Sequence, residues 1–143
     1  MKRIYIDMDG VLCDYMSDYL KYKSDLNPFP QSQIDFFRNL KPIDEAIDSF
    51  KILSQHYDVW ILTRPSIKNP LCYTEKRIWV ENYLGEESCD KLIISPDKSL
   101  LKGDYLIDDM PHDNIGNVKN FEGKFIHFGS DKYPNWSKVL EFF

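Results

Sequence analysis

The feature that most constrains this chain is a set of short apolar runs, nearly all of which stop at a chemically useful residue. Ile4-Tyr5-Ile6 runs into Asp7 and Asp9, and Val59-Trp60-Ile61-Leu62 runs into Thr63. Leu92-Ile93-Ile94 leads towards Lys98, and Tyr105-Leu106-Ile107 ends in Asp108-Asp109. A fifth run, Lys124–Phe128, has no such ending. Runs of this length are strands rather than helices. Their unbroken apolar character, without alternation, marks strands buried on both faces of a parallel sheet. Between the first two strands Ile47, Phe50, Leu53 and Tyr57 recur at helical spacing, and a helical stretch to Leu84 is closed by Gly85. Strands alternating with helices require right-handed crossovers, which makes the fold α/β. The expectation is a parallel sheet of the five strands above, flanked by helices. The 143 residues suit one domain over the whole chain, and 43% hydrophobic residues are too many for a disordered one.

The spacing predicts five helices. Leu12–Ser24 would present Leu12, Met16, Tyr19 and Leu20 on one face, before Asn27-Pro28-Phe29-Pro30 breaks it. Gln31–Arg38 reads as a second short helix. Asp44 reads as the N-cap of a helix through His56, Thr74 as the N-cap of a helix through Leu84, and Ser137–Phe143 as a closing helix. The stretch 13–42 breaks the strand–helix rhythm and carries Tyr15, Tyr19, Tyr22, Phe29, Phe36 and Phe37. It is read as a small helical cap inserted after the first strand, in preference to one more packing layer.

Charge and composition narrow the function. A net charge of −5 argues against a general binder of nucleic-acid polymers, which need a basic face, but local cations could still hold a small anion. No run approaches membrane-spanning length, and three apolar residues before Asp7 are too few for a signal peptide. The three cysteines, Cys13, Cys72 and Cys89, are odd in number and lack a CxxC spacing. They read as free thiols, and a cytoplasmic protein is expected.

In an open α/β sheet, ligands bind outside the carboxyl ends of the strands. Asp7, Asp9, Thr63, Lys98, Asp108 and Asp109 all fall there. Carboxylates without a His–Cys cluster suit a hard, oxygen-seeking cation such as Mg²⁺. A lysine and a hydroxyl among them would hold a phosphate that the acids alone would repel. One aspartate could then attack phosphorus while a second handles the leaving-group proton. Each residue alone has a plainer explanation: a solvated turn for the aspartates, a cap for Thr63, a surface ammonium for Lys98. The combination at the strand ends is what these plainer explanations do not cover.

Asp7-Met8-Asp9-Gly10-Val11-Leu12, Thr63, Lys98 and Asp108-Asp109 together resemble the motif set of the haloacid dehalogenase-like phosphatases. The stretches DMDGVLCDY, WILTRPS, YTEKRIWVENYLG and SPDKSLLKGDYLIDDM, with the Phe36-Phe37 region, are similar to the pyrimidine 5′(3′)-deoxyribonucleotidases within that superfamily. The likeness covers nearly the whole chain. It implies a Rossmann-like core with a small helical cap, and a Mg²⁺-dependent phosphatase acting on nucleoside monophosphates through an aspartyl-phosphate. Asp7 would be the nucleophile and a metal ligand. Asp9 would be the general acid/base and give the metal its carbonyl. Asp109, with Asp108, would complete the metal site. Thr63 and Lys98 would bind the phosphate, and Tyr15 and Phe36 would face the substrate; apart from the resemblance, Arg64 reads as a phosphate contact or equally as a solvated ion. Two departures concern selectivity: the cap is shorter than in the mammalian enzymes, and Arg64 stands where they carry a small hydroxyl residue.

Lys76 reads equally as a substrate contact or a solvated ion. His112 and Asp113 read as an ordinary polar loop, and Trp60, Trp79 and Trp136 as packing. A sugar phosphate is the alternative substrate. A phospho-acceptor signalling domain or an inactive binding module is the alternative of another class. In a receiver domain, however, the acidic pair follows the first strand and the lysine the last, the reverse of the order here. Oligomeric state is left open.

Overall fold

The computed structural model describes residues 1–109 and 114–143; His112 and Asp113 lie outside them. Five strands form one sheet: β1 (Arg3–Ile6), β2 (Asp58–Thr63), β3 (Leu92–Ile94), β4 (Tyr105–Asp108) and β5 (Lys124–His127). Their order is β3-β2-β1-β4-β5, and every pairing is parallel. The architecture is the expected α/β parallel sheet. The chain moves outward from β1 to β3, then crosses back to place β4 on the other side of β1. That reversal opens a crevice between the carboxyl ends of β1 and β4. Ile6 pairs with Ile107, and the Asp7 amide donates to the Ile107 carbonyl at 3.0 Å, so Asp7 and Asp108 emerge side by side.

The α-helices are α1 (Tyr15–Tyr22), α2 (Ala46–Ser54), α3 (Cys72–Leu84), α4 (Glu86–Cys89) and α5 (Trp136–Phe142). The alternation of side chains along a strand divides the core. Ile4 and Ile6 join Ile61, Ile107 and Ile126 under residues of α2, α3 and α5, including Phe50, Trp79 and Trp136. Tyr5 on the opposite face packs with Leu62, Leu106, Val118 and Phe121. Among the described residues, the links β3–β4 and β4–β5 carry only single 3₁₀ turns, Lys98–Leu100 and Val118–Asn120. The brevity of the first link keeps Lys98 close to the sheet edge.

Several expected boundaries are corrected. Helix α1 starts at Tyr15, where Asp14 caps Ser17 N, and buries none of its residues fully. Leu12 is buried but lies in the preceding turn, while Met16 and Leu20 are exposed. No α-helix forms over 31–38; a 3₁₀ turn at Pro30–Ser32 is followed by turns. Asp44 does not cap α2. Glu45 holds that position in the left-handed region, at φ 67°, with no side-chain cap. Helix α3 starts at Cys72, ahead of Thr74. Trp79 and Trp136 are packing residues, as read, and the three cysteines are free.

Candidate active site

The loop after β1 is wound tightly: the Met8 carbonyl accepts from Val11, Leu12 and Cys13. Gly10 serves this turn at φ 84°. A Cβ built there would lie 2.1 Å from Asp109 Oδ2, so the glycine also makes room for the Asp109 carboxylate.

Asp7, Asp108 and Asp109 offer carboxylate oxygens that lie within 4.8 Å of one another. Lys98 Nζ bridges the first two, donating to Asp7 Oδ1 at 2.9 Å and to Asp108 Oδ2 at 2.5 Å. Lys98 is itself fixed: its amide donates to the Gly116 carbonyl, and the adjacent Asp97 carboxylate accepts from Ser99 and Asn117. Burial, then the charge of Asp108, pushes the Asp7 carboxyl well above the usual range, and Lys98 offsets this only in part. Burial and Asp108 also raise Asp109, to about 7. Burial opposes the charge on Lys98, but Asp7 and Asp108 outweigh it and hold the ammonium above its ordinary pKa. The pocket thus gathers more carboxylates than one lysine neutralises. A divalent cation with oxygen preference fits this donor set.

A second cation lies behind the first loop. Lys76 on α3 is 1% exposed and donates from Nζ to Asp9 Oδ2 at 3.0 Å, to Thr63 Oγ1 and to the Arg64 carbonyl at 2.8 Å. All three of its protons are used. It is therefore no solvated ion; it fixes Asp9 and Thr63 relative to each other. Asp9 keeps its other oxygen, Oδ1, buried without a hydrogen-bond partner among the described residues. Thr63, expected to bind the phosphate, is fully buried; its hydroxyl accepts from Lys76, and Thr63 is not among the residues that line the cavity.

These groups border a cavity of about 370 Å³ lined by Asp7, Asp9, Lys98, Asp108 and Asp109 at one end. Arg64, Tyr15, Gln31 and Phe37 line the rest of it, with further residues. Arg64 is half-buried, and its guanidinium has no hydrogen bond or ion pair among the described residues. Phe36, expected over the substrate, instead borders a second hollow with Asp18, Tyr22 and Ile34; Phe37 takes the place on the cavity wall. The two rings meet edge-on, and both pack against Tyr15. Tyr15 does line the cavity, and burial beside Asp9 raises its hydroxyl pKa, which keeps it neutral. His127, for which the sequence shows no partner, places Nε2 3.0 Å from the Asp109 carbonyl.

Residues 22–137 match the sequence family described as 5′ nucleotidase, deoxy (pyrimidine), cytosolic type C protein. The chain belongs to this family. As a member it is a hydrolase of the 5′-nucleotidase type, acting on phosphomonoesters. It is 37% identical to a protein of Vibrio phage KVP40 provisionally named a 5′(3′)-deoxyribonucleotidase, over 97% of this chain and 82% of that one. It is 28% identical to the human cytosolic-type 5′(3′)-deoxyribonucleotidase, over 96% of this chain and 78% of that one. A solved haloacid dehalogenase-like hydrolase from Streptococcus pneumoniae shares the fold, with TM-score 0.60 at 14% identity, covering 99% and 98% of the two chains.

Within this nucleotidase family member, the four motif regions named in the sequence converge on one crevice. Lys76 is the site residue that sequence reading undervalued. Its signal was its spacing: it shares a helical face with Cys72, Trp79 and Val80, all buried, so a charge there needed a buried partner.

Proposed function

We propose that this chain is a Mg²⁺-dependent 5′(3′)-deoxyribonucleotidase that hydrolyses nucleoside monophosphates through an aspartyl-phosphate on Asp7. The observation that carries the reading is the Asp7–Lys98–Asp108 bridge at the β1/β4 crevice, with Asp109 beside it and Asp9 held apart on its own lysine. Two aspartates two residues apart thus occupy different electrostatic settings, as a nucleophile and a proton-handling group require. Asp7, Asp108 and Asp109 would hold the cation, with the Asp9 carbonyl as a further donor. When bound, it neutralises the approach of one anion to another and the charge on the transferring phosphoryl group.

The chain's own groups would divide the remaining work. Asp7 attacks phosphorus and the ester oxygen departs. Asp9 gives that oxygen its proton and later takes one from the water that cleaves the acyl phosphate. Lys98 and Thr63 steady the phosphoryl oxygens, and Arg64 is the lining cation not already committed to a carboxylate. Tyr15 and Phe37 would border the nucleoside. A small helical cap over 13–42 is part of this reading.

Phosphate release is to be measured from dUMP, dTMP, UMP, a purine nucleotide, a sugar phosphate and an aryl phosphate, with Mg²⁺ or chelator. Wild type should prefer deoxynucleotides and lose activity in chelator. Asp7→Asn should abolish release, and Asp9→Asn should slow it by about 10²–10⁴-fold. Release from the sugar phosphate alone would keep the chemistry and overturn the nucleotide assignment. Folded protein releasing no phosphate from any compound would overturn the enzyme reading.

A further inference from the structure

Glu75, one residue before Lys76, is 4% exposed yet has no cationic partner among the described residues. Its carboxylate is satisfied by main chain instead. Oε2 accepts from the Asp35 amide at 2.9 Å, and Oε1 from the amides of Phe37 and Arg38 at 3.2 and 3.4 Å. Asn69, 2% exposed, holds the same segment from the other side. Its Nδ2 donates to the carbonyls of Gln31 and Gln33 at 3.0 and 3.3 Å, while its Oδ1 accepts from Leu71. Trp79 Nε1 adds a bond to the Leu40 carbonyl at 2.8 Å. The strap thus tied carries Gln31 and Phe37, which line the cavity. Its backbone includes Asp35 at φ 70°, a conformation that does not persist in a free chain without support.

The next residue of α3 ties that wall to the loops after β1 and β2. Lys76 Nζ bonds Asp9 and Thr63 and lies 5.1 Å from the Phe37 ring centroid. Consecutive residues of one helix therefore set the wall and the proton-handling end in a fixed relation. We propose that Glu75 is a positioning residue: with Asn69 it locks the 31–38 strap before substrate arrives, fixing how far the Phe37–Gln31 wall stands from Asp9 and so which monophosphates fit. The proposal rests on the cavity being the substrate site, as argued above. It makes this wall a preset gauge and not a lid. A buried carboxylate taking three main-chain donors is costly to disturb, because each orphaned amide loses its only partner.

The test pairs amide hydrogen exchange with steady-state kinetics on wild type, Glu75→Gln and Asn69→Ala. In wild type the amides of Asp35, Phe37 and Arg38 should be protected. In Glu75→Gln they should exchange at least about tenfold faster, while α3 and the sheet are unchanged. KM for the monophosphate the wild type favours should rise about tenfold, kcat should fall less, and Ki for inorganic phosphate should stay within about twofold. Asn69→Ala should shift KM the same way through the other tie, and it serves alone if Glu75→Gln does not fold. Loop-rate exchange of the three amides in wild type would overturn the proposal. So would a fall in kcat with KM unchanged, the mark of a smaller folded fraction. A wild type that favours a monophosphate other than a nucleotide would sink the nucleotidase reading while leaving this comparison intact.

Discussion

At the scale of single residues, the site separates its two central aspartates by giving each its own lysine. Lys98 serves Asp7 and Asp108, and Lys76 serves Asp9 and Thr63. If Lys76 works through Asp9, removing either should disable the same step. Lys76→Met should lower kcat about 10²-fold, and the double variant with Asp9→Asn should be no slower than Asp9→Asn alone. Multiplying effects in that cycle would give Lys76 a role of its own. The acids and Lys98 were legible in the sequence because each follows an apolar run at a strand end. Lys76 was not, because a lysine within a helix looks the same whether it faces water or a buried carboxylate. Phe36 and Phe37 were confused for a similar reason: sequence places aromatics in a segment, but only the main-chain path decides which one faces the cavity.

Among the elements, the strands were read to within a residue, since continuous apolar runs have few other uses. The missing helix over 31–38 shows what local pattern omits. The amides of Asp35, Phe37 and Arg38, which a helix would spend on its own carbonyls, go to the Glu75 carboxylate. A tertiary acceptor about forty residues away in sequence overrides the local preference. The starts of α2 and α3 were misplaced because neither uses a side-chain cap. At the end of the sheet remote from the site, Asp58 opens β2 and binds Lys91, Arg3 and Trp60 Nε1. Lys91 first, then Arg3 and Trp60, lower its carboxyl from 3.8 to about 2, against the opposing effect of burial. A carboxyl lowered by folding stabilises the protein above its unfolded pKa, and that contribution fades as pH falls through the folded one. Wild type should therefore be more heat-stable than Asp58→Asn at pH 5, and the difference should shrink between about pH 4 and about pH 2. A gap in melting temperature unchanged at pH 2 would show that the ion pairs are not its source.

For the whole molecule, the parallel sheet and its order follow from alternation and short links, and the reversal at β1 gathers the acids. A cation bound only by the folded protein should raise its melting temperature. Saturating Mg²⁺ at about 100 times its Kd contributes about 2.7 kcal/mol, a shift of several degrees that chelator removes. Asp109→Asn should lose most of the shift, and an unchanged Mg²⁺ response in that variant would take Asp109 out of the cation site. The central place of β1 has a kinetic corollary. The strand that carries Asp7 at its end precedes the others in the chain, yet Lys98 is 91 residues further along, and Asp108 lies on the strand beyond it. Such distant pairings close late. Refolding should therefore restore helix signal and compactness before turnover, and recovered phosphate release should report the arrival of the last central strand.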